Sequence, residues 1–285
     1  NLGGERLNGG STKTFSLLSV GRLFEQIRSA QLYGVKAIPN GVDYDRVLNY
    51  IERTIKEFEP DYSQERLEGL GVNLIFGQAK FLTKKTLQAA ENIVTAKRFI
   101  IATGSCLKTP KIDGLDEVPF YTNETILKKG GIPKHLIILG SMGGGLQLAQ
   151  AFSLLGSKVT IIEKGRILSQ EDPVLVNFIY ERCLELGINI YQDTNIKKVK
   201  NLSNRITIAL TNNKEEKSIS GSHLVLCGER VPDIKYLNLA VAGVDFSNDG
   251  VKVDKRLRTK NKNIFAIGDV IGHGFSEGRV ENHAE

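Results

Sequence analysis

HLIILGSMGGGLQLAQAFSLLGSKVTIIE, residues 135–163, joins two apolar runs through a glycine cluster and a helical segment. Residues 135–140 form a short apolar run suited to a buried strand, 143–155 have helical apolar spacing closed by Gly156, and 158–163 read as a second strand. Between strand and helix lies Gly140-Ser141-Met142-Gly143-Gly144-Gly145. A dinucleotide turn of the form GxGxxG calls for glycine at 140, 142 and 145. Gly140 permits the tight turn and Gly145 lets the helix press against the strand. The middle place, where backbone approaches a pyrophosphate, is Met142; Gly143 and Gly144 supply the clearance instead, leaving the helix N-terminus to face phosphates. The second strand ends in Glu163, at about the 20-residue spacing where a carboxylate bonds ribose hydroxyls. It would repel a 2′-phosphate, so NAD is preferred over NADP, with Lys164 tempering the preference. The alternative is a glycine-rich turn that binds nothing.

The same alternation continues beyond residue 163. Asp172 caps a helix with Pro173 in its first turn and Gly187 at its end, and residues 188–191 form a third strand. Residues 205–211 and 217–221 pair as antiparallel strands about a turn at Asn212-Asn213, and HLVLCG (223–228) closes the unit. Toward the amino terminus, 12–34 and 43–58 read as helices, the second capped by Asp43 with Val47, Ile51, Ile55 and Phe58 at helical spacing. A strand-rich stretch follows at 71–82, 86–90 and 97–105, where Phe99–Ala102 is apolar enough for a strand buried on both faces. An antiparallel excursion followed by a buried strand ending in glycine occurs at 73–104 and again at 205–228, a weak internal repeat. The second copy has a β-turn-α unit before it and the first has none. The expected fold class is α/β: two Rossmann-like three-layer nucleotide-binding domains with parallel sheets and antiparallel β excursions. The expected domains are a discontinuous one, 1–120 with 245–285, enclosing a second at 121–244.

Composition narrows the function. The 285 residues are 41% hydrophobic and 25% charged, as in a protein with an ordinary core, and the 29 glycines exceed the roughly 7% average. The net charge of +6 comes from dispersed lysines with no basic run interleaved with aromatics, which argues against a nucleic-acid partner. No apolar run approaches the roughly 18 residues of a membrane span, and NLGGERLNGG is not a signal peptide. Cys106, Cys183 and Cys227 are sparse and widely spaced, which excludes a disulfide scaffold, a zinc site or a CxxC pair and points to the cytoplasm. Cys183 shares a helix face with Val176, Ile179 and Leu186, Cys227 ends a buried strand, and Cys106 lies in a loop. His135, His223, His273 and His283 lack metal-ligand spacing, and Ser11 has no His/Asp partners nearby in sequence.

Several segments together resemble the FAD-dependent pyridine nucleotide–disulfide oxidoreductases, the dihydrolipoamide dehydrogenase and mercuric reductase-like group. IIATGS (100–105) is similar to the family's ATG turn beside the flavin nucleotide, which implies FAD contacts at Ala102, Thr103 and Gly104. NIFAIGDV (263–270) is similar to the second flavin motif, whose aspartate, here Asp269, bonds the ribityl chain; a helix N-cap is the alternative role. GGERLN (3–8) resembles the entry to the redox motif, implying roles for Gly3, Gly4 and Lys13, and PDYSQERLEGLGV (60–72) and AQAFSLLGSKVTIIE (149–163) also look like this family. Gly140, Gly143, Gly145, Gln147, Glu163 and Gly228 fall where the resemblance places the nicotinamide nucleotide and its neighbours.

The resemblance implies hydride transfer from NAD(P)H to FAD and onward to a disulfide or metal-ion acceptor, a small-molecule or disulfide electron acceptor as partner, and a homodimer when intact. The departures are specific. Arg6 and Ser11 occupy the two redox-cysteine places, and neither can exchange with a disulfide. Lys13 comes early after Gly4, Gln147 replaces a glutamate, and Glu229 stands where glycine is expected and could hinder a pyrophosphate. Catalytic residues are therefore unassigned, and two alternatives stand: a thiol-independent NADH diaphorase or oxidase, and a non-catalytic nucleotide-binding relative. The family's first GxGxxG unit should precede Asn1 and a dimerisation domain should follow RVENHAE (279–285), so the chain is expected to be the middle of a longer polypeptide.

Overall fold

The computed structural model describes residues 2–142, 144–202, 205–212 and 215–272. The chain begins with a short helix α1 (Gly4–Asn8), then α2 (Ser11–Ser29), α3 (Tyr44–Phe58) and the short α4 (Gln64–Gly69). Asp43 caps α3 by accepting from the Arg46 amide, and Val47 and Ile51 are buried on one face, as the spacing indicated. Strands β1 (Ala79–Phe81), β2 (Thr86–Ala89), β3 (Asn92–Thr95), β4 (Phe99–Ile101), β5 (Ser105–Leu107) and β6 (Tyr121–Thr122) follow. The central run is β7 (His135–Leu139), α5 (Gly145–Leu154), β8 (Lys158–Ile162), α6 (Pro173–Glu185) and β9 (Asn189–Tyr191). Then come β10 (Thr194–Leu202), β11 (Arg205–Asn212), β12 (Glu215–Gly221) and β13 (His223–Leu226). The last strands are β14 (Arg230–Pro232), β15 (Phe246–Ser247), β16 (Gly250–Val251) and β17 (Ile264–Ala266).

The residues fall into two compact units. The first, 1–67 with 109–228, is built on a five-stranded parallel sheet in the order β6-β13-β7-β8-β9. The inner strands are apolar on both faces because both are covered, and Leu136, Ile137 and Ile138 are fully buried. On one face Leu136, Ile138, Val159, Ile161 and Val225 pack with α5, α2 and α3. The antiparallel sheet β10-β11-β12 covers the other, close enough that a Cβ on Gly221 would lie 2.7 Å from Ile137 Cγ1. Helix α5 is buried nearly all round because α2 lies over it, and Gly21 lets the two approach: its Cβ would meet Leu154 Cβ at 3.0 Å. Arg182 of α6 donates to both carboxylate oxygens of Glu25 of α2, at 2.9 and 3.0 Å.

The second unit, 68–108 with 229–285, holds the antiparallel sheet β1-β2-β3, the parallel pair β4–β17, and the antiparallel pairs β5–β14 and β15–β16. Its core gathers Phe81, Ile101, Leu239, Ala242, Val251, Ile264 and Ala266. In each unit a three-stranded antiparallel sheet precedes a parallel strand, which is the internal repeat in three dimensions.

Three local expectations are corrected. Only Ala79–Phe81 of residues 71–82 is strand, and Val72, Ile75 and Phe76 are exposed; the β1–β2 register stops at Ala79 opposite Ala89, where Gly77 crosses Ala90. Strand β4 is not buried on both faces: Ile100 is 66% exposed while Ile101 lies in the core, because β4 pairs only with β17 among the described residues. Cys106 sits in β5, opposite Val231, rather than in a loop.

Candidate functional site

In the first unit the glycine turn leaves the carboxyl end of β7, between the ends of β8 and β13. The strand order reverses between β7 and β13, the place in an open α/β sheet where ligands enter. Gly140 has φ +93° and runs against β13: a Cβ there would stand 2.4 Å from Cys227 O and 2.8 Å from Gly228 Cα. A Cβ on Gly145 would lie 2.5 Å from Gly140 O and 3.0 Å from Cys227 Cβ, so the first turn of α5 packs closely on the residues just past the ends of β7 and β13. Gly144, in the left-handed region, opens α5, and Met142 in the middle place is 49% exposed; Gly143 lies outside the described residues. The amides of Gly145 and Leu146 donate within the turn, to Met142 O and Ser141 O.

Glu163 emerges at the end of β8 and is tied to the turn. Its Oε2 accepts from the Ser141 amide at 2.8 Å and the Ser141 hydroxyl at 2.7 Å, and its Oε1 accepts from the Lys164 amide at 3.0 Å. A carboxylate has about four acceptor sites, so these three bonds leave it capacity for a further donor. Ser141 went unnoticed in the sequence, because a serine after a turn glycine carries no signal of its partner. Gly228 is half-buried with open space where its Cβ would be.

The amino-terminal segment lies beside this turn. Gly3 and Gly4 have positive φ and lead into α1, whose backbone includes Arg6. Ser11 begins α2, and Lys13 Nζ donates to Asn8 O at 3.4 Å. A Cβ on Gly10 would lie 2.4 Å from Asn123 Nδ2, and one on Gly144 3.9 Å from the same atom and 3.7 Å from Gln147 Oε1. The starts of α2 and α5 therefore meet around the buried Asn123, a second residue that the sequence did not single out.

In the second unit, the ATG segment and Asp269 leave the carboxyl ends of the adjacent parallel strands β4 and β17. Ala102 and Thr103 are exposed, and Gly104, at φ +69°, has nothing within 4 Å of a Cβ position, so the backbone there is open on that side. Among the described residues Asp269 caps no helix. It lies within the short 3-10 turn Gly268–Ile271, and its Oδ2 accepts from Ser105 Oγ at 2.8 Å. Arg230 Nε donates to Ser105 Oγ at 2.8 Å and Nη2 to Ser105 O at 2.9 Å. Glu229 is turned to Lys108, with Nζ 2.8 Å from Oε2.

The cysteines do not form a redox pair. Burial pushes the Cys183 thiol up to about 11 and the Cys227 thiol up to about 12, and both are core residues. Cys106 is exposed; partial burial and then Asp233 raise its thiol against the pull of Arg230. His135 bonds Thr160 and His223 bonds Ser222, and burial lowers both imidazoles; His273 and His283 lie outside the described residues. Among the described residues no three His, Cys, Asp or Glu side chains gather to hold a metal, and no helix is long and apolar enough to cross a membrane.

Comparison with known proteins extends this picture. The family model described as "Pyridine nucleotide-disulphide oxidoreductase" matches residues 3–284. The chain is 30% identical to a mercuric reductase of Bacillus cereus over 271 residues, 94% of this chain and 43% of that protein. It is 29% identical to a dihydrolipoyl dehydrogenase of Geobacillus stearothermophilus over 278 residues, 95% of this chain and 58% of that protein. The chain thus spans about half the length of the curated relatives it matches. Among solved structures, the Cu(II) complex of the HOCl-induced flavoprotein disulfide reductase RclA from Escherichia coli superposes with a TM-score of 0.84 at 23% identity, covering 99% of this chain and 61% of that one.

Proposed function

The chain belongs to the pyridine nucleotide-disulphide oxidoreductases, and on that premise we propose that it carries hydride transfer from NAD(P)H, NADH by preference, to FAD. The observation that carries this reading is the pair of turns at the carboxyl ends of parallel strands, one holding Gly140, Glu163 and Gly228 and the other holding Ala102–Gly104 and Asp269. Bound FAD supplies the acceptor for hydride and the store from which electrons leave. The protein's own residues bind and orient. The Glu163 carboxylate takes the adenosine ribose hydroxyls and disfavours a 2′-phosphate. Gly140 and Gly145 let backbone reach the dinucleotide, and Asp269 accepts from a ribityl hydroxyl while Gly104 leaves room for the chain. We assign 121–244 to the nicotinamide nucleotide and 1–120 with 245–285 to the flavin by their motifs; the compact units divide differently, with 1–67 packed with 109–228 and 229–244 in the second unit.

Onward transfer goes to a disulfide or a metal ion, in line with the mercuric reductases and dihydrolipoyl dehydrogenases it resembles. With Arg6 and Ser11 at the thiol places, that step takes thiols from elsewhere than positions 6 and 11. The same two residues favour a second reading, an NADH diaphorase that reduces its acceptor directly from the flavin. A cytoplasmic location, argued from three unpaired cysteines, and a homodimeric assembly complete the reading. The test is the absorption spectrum of the purified chain before and after anaerobic NADH. Flavin that bleaches supports the proposal, and bleaching without a long-wavelength thiolate–flavin band selects the diaphorase. Absence of flavin, or flavin that NADH leaves oxidised, overturns it.

A further inference from the structure

We propose that Ser105, held by Arg230, is a positioning residue that sets the Asp269 carboxylate for a polyol hydroxyl of the flavin. The inference rests on the flavin reading above and adds to it how the aspartate is aimed.

The three residues come from three separate segments of the second unit. Ser105 opens β5, Arg230 opens β14, and Asp269 follows β17. The β5–β14 pairing sets Ser105 opposite Pro232 and Leu107 opposite Arg230, so the guanidinium reaches along the pair to take both the hydroxyl and the carbonyl of Ser105. A serine hydroxyl has one proton and two lone pairs. Because Arg230 Nε donates to the oxygen, the proton is left to point at Asp269 Oδ2, where the bond measures 2.8 Å. The hydroxyl cannot rotate away without breaking a bond to a fixed cation, and the cation strengthens the bond it directs. The carboxylate is thereby locked about its own torsion. Oδ2 is committed to Ser105, and Oδ1 is the oxygen left for a ligand hydroxyl at the end of the parallel pair β4–β17, beside the open backbone of Gly104. A direct charge pair between Arg230 and Asp269 would serve less well, since it would engage the carboxylate itself. With serine interposed, the carboxylate is oriented and keeps an acceptor for the ligand.

The experiment measures FAD affinity rather than turnover, by titrating the flavin-stripped full chain and following quenching of flavin fluorescence. Ser105→Ala is expected to weaken FAD binding about tenfold, and Ser105→Thr, which keeps the hydroxyl, to restore it to within about threefold. Asp269→Asn weakens binding by at least as much, and adding Ser105→Ala to Asp269→Asn costs nothing further, because the serine acts only through the aspartate. Melting curves of the stripped proteins separate loss of affinity from loss of fold. Additive effects in the double variant, or unchanged affinity in a folded Ser105→Ala, overturn the proposal while the flavin reading stands. If the wild-type chain takes up no FAD, the flavin reading fails first and this inference fails with it.

Discussion

Ser141 gives both its amide and its hydroxyl to one oxygen of Glu163, at 2.8 and 2.7 Å, so the turn after β7 and the acid after β8 form a single unit. Bonds to a charged acceptor are worth roughly 1.5–3 kcal/mol each, which makes the serine a structural partner of the residue proposed to read the ribose. Glu163→Ala should therefore have two effects. Preference for NADH over NADPH falls by about tenfold or more, and stability falls by about 2 kcal/mol because the turn loses its acceptor. Ser141→Ala keeps the amide bond and should lose only part of each. Titration with both nucleotides, with urea melts alongside, reads the two effects separately. A selectivity that survives Glu163→Ala would remove the acid from nucleotide recognition.

Gly140 and Gly156 both have φ in the left-handed region, +93° and +99°, but only Gly140 is hemmed in. A Cβ at 156 meets nothing within 4 Å, whereas one at 140 lies 2.4 Å from Cys227 O, a backbone atom immediately after the adjacent strand β13. Gly156→Ala should cost about 1–2 kcal/mol, the conformational strain alone. Gly140→Ala adds the displacement of β13 and should cost about 3–4 kcal/mol, enough to leave little folded protein. Chemical denaturation of the pair isolates the close approach, and equal losses would place β13 farther from the turn.

The run β7–α5–β8 was legible because burial on both faces produces unbroken apolar strands, and because glycines mark each end of the helix. Strand β10 was not, although it is nine residues long: its lysines face outward, only Thr194 and Val199 are buried, and a register shift between Ile196 and Lys198 breaks the alternation. Ile100 misled in the opposite direction, since an apolar residue does not announce whether its strand is covered. The gathering of Gly140, Gly145 and Glu163 at the ends of β7 and β8 could be read because their spacing is local. Ser105 and Asp269 are 164 positions apart, and Ser105 and Arg230 are 125 apart, so no window of sequence contains the contact that joins them.

Glu25 and Arg182 tie α2 to α6 by two bonds, at 2.9 and 3.0 Å, with both side chains partly exposed. Because solvent screens the pair, Glu25→Gln should lower stability by only about 0.5–1 kcal/mol at low salt. The loss should shrink in 1 M sodium chloride, where the Debye length falls to about 3 Å. Urea midpoints at the two salt concentrations check this. A loss that does not respond to salt would assign the contact to packing rather than charge.

Cys227 lies beneath the first turn of α5, and its burial ties stability to pH in the alkaline range. Its thiol is pushed from the ordinary 9.0 up to about 12 in the folded protein. A group whose folded value is raised stabilises fully below the unfolded value and loses that contribution as pH climbs through the folded one, so the loss runs from about pH 9 to about pH 12. At pH 10 the unfolded thiol is mostly ionised while the folded one is not, and the penalty is about 1.4 kcal/mol. Cys183, raised to about 11, acts in the same direction, as does Tyr44, raised from 10.0 to about 12. Cys227→Ala removes one of these contributions and leaves the rest. The variant starts about 1 kcal/mol less stable at pH 8 because of the small cavity it opens, but it should lose about 1.4 kcal/mol less than the wild type between pH 8 and pH 10. Urea unfolding at the two pH values yields the difference directly. Parallel losses in the two proteins would mean that water reaches the thiol, and the tight seat of Gly145 on β13 would have to be redrawn.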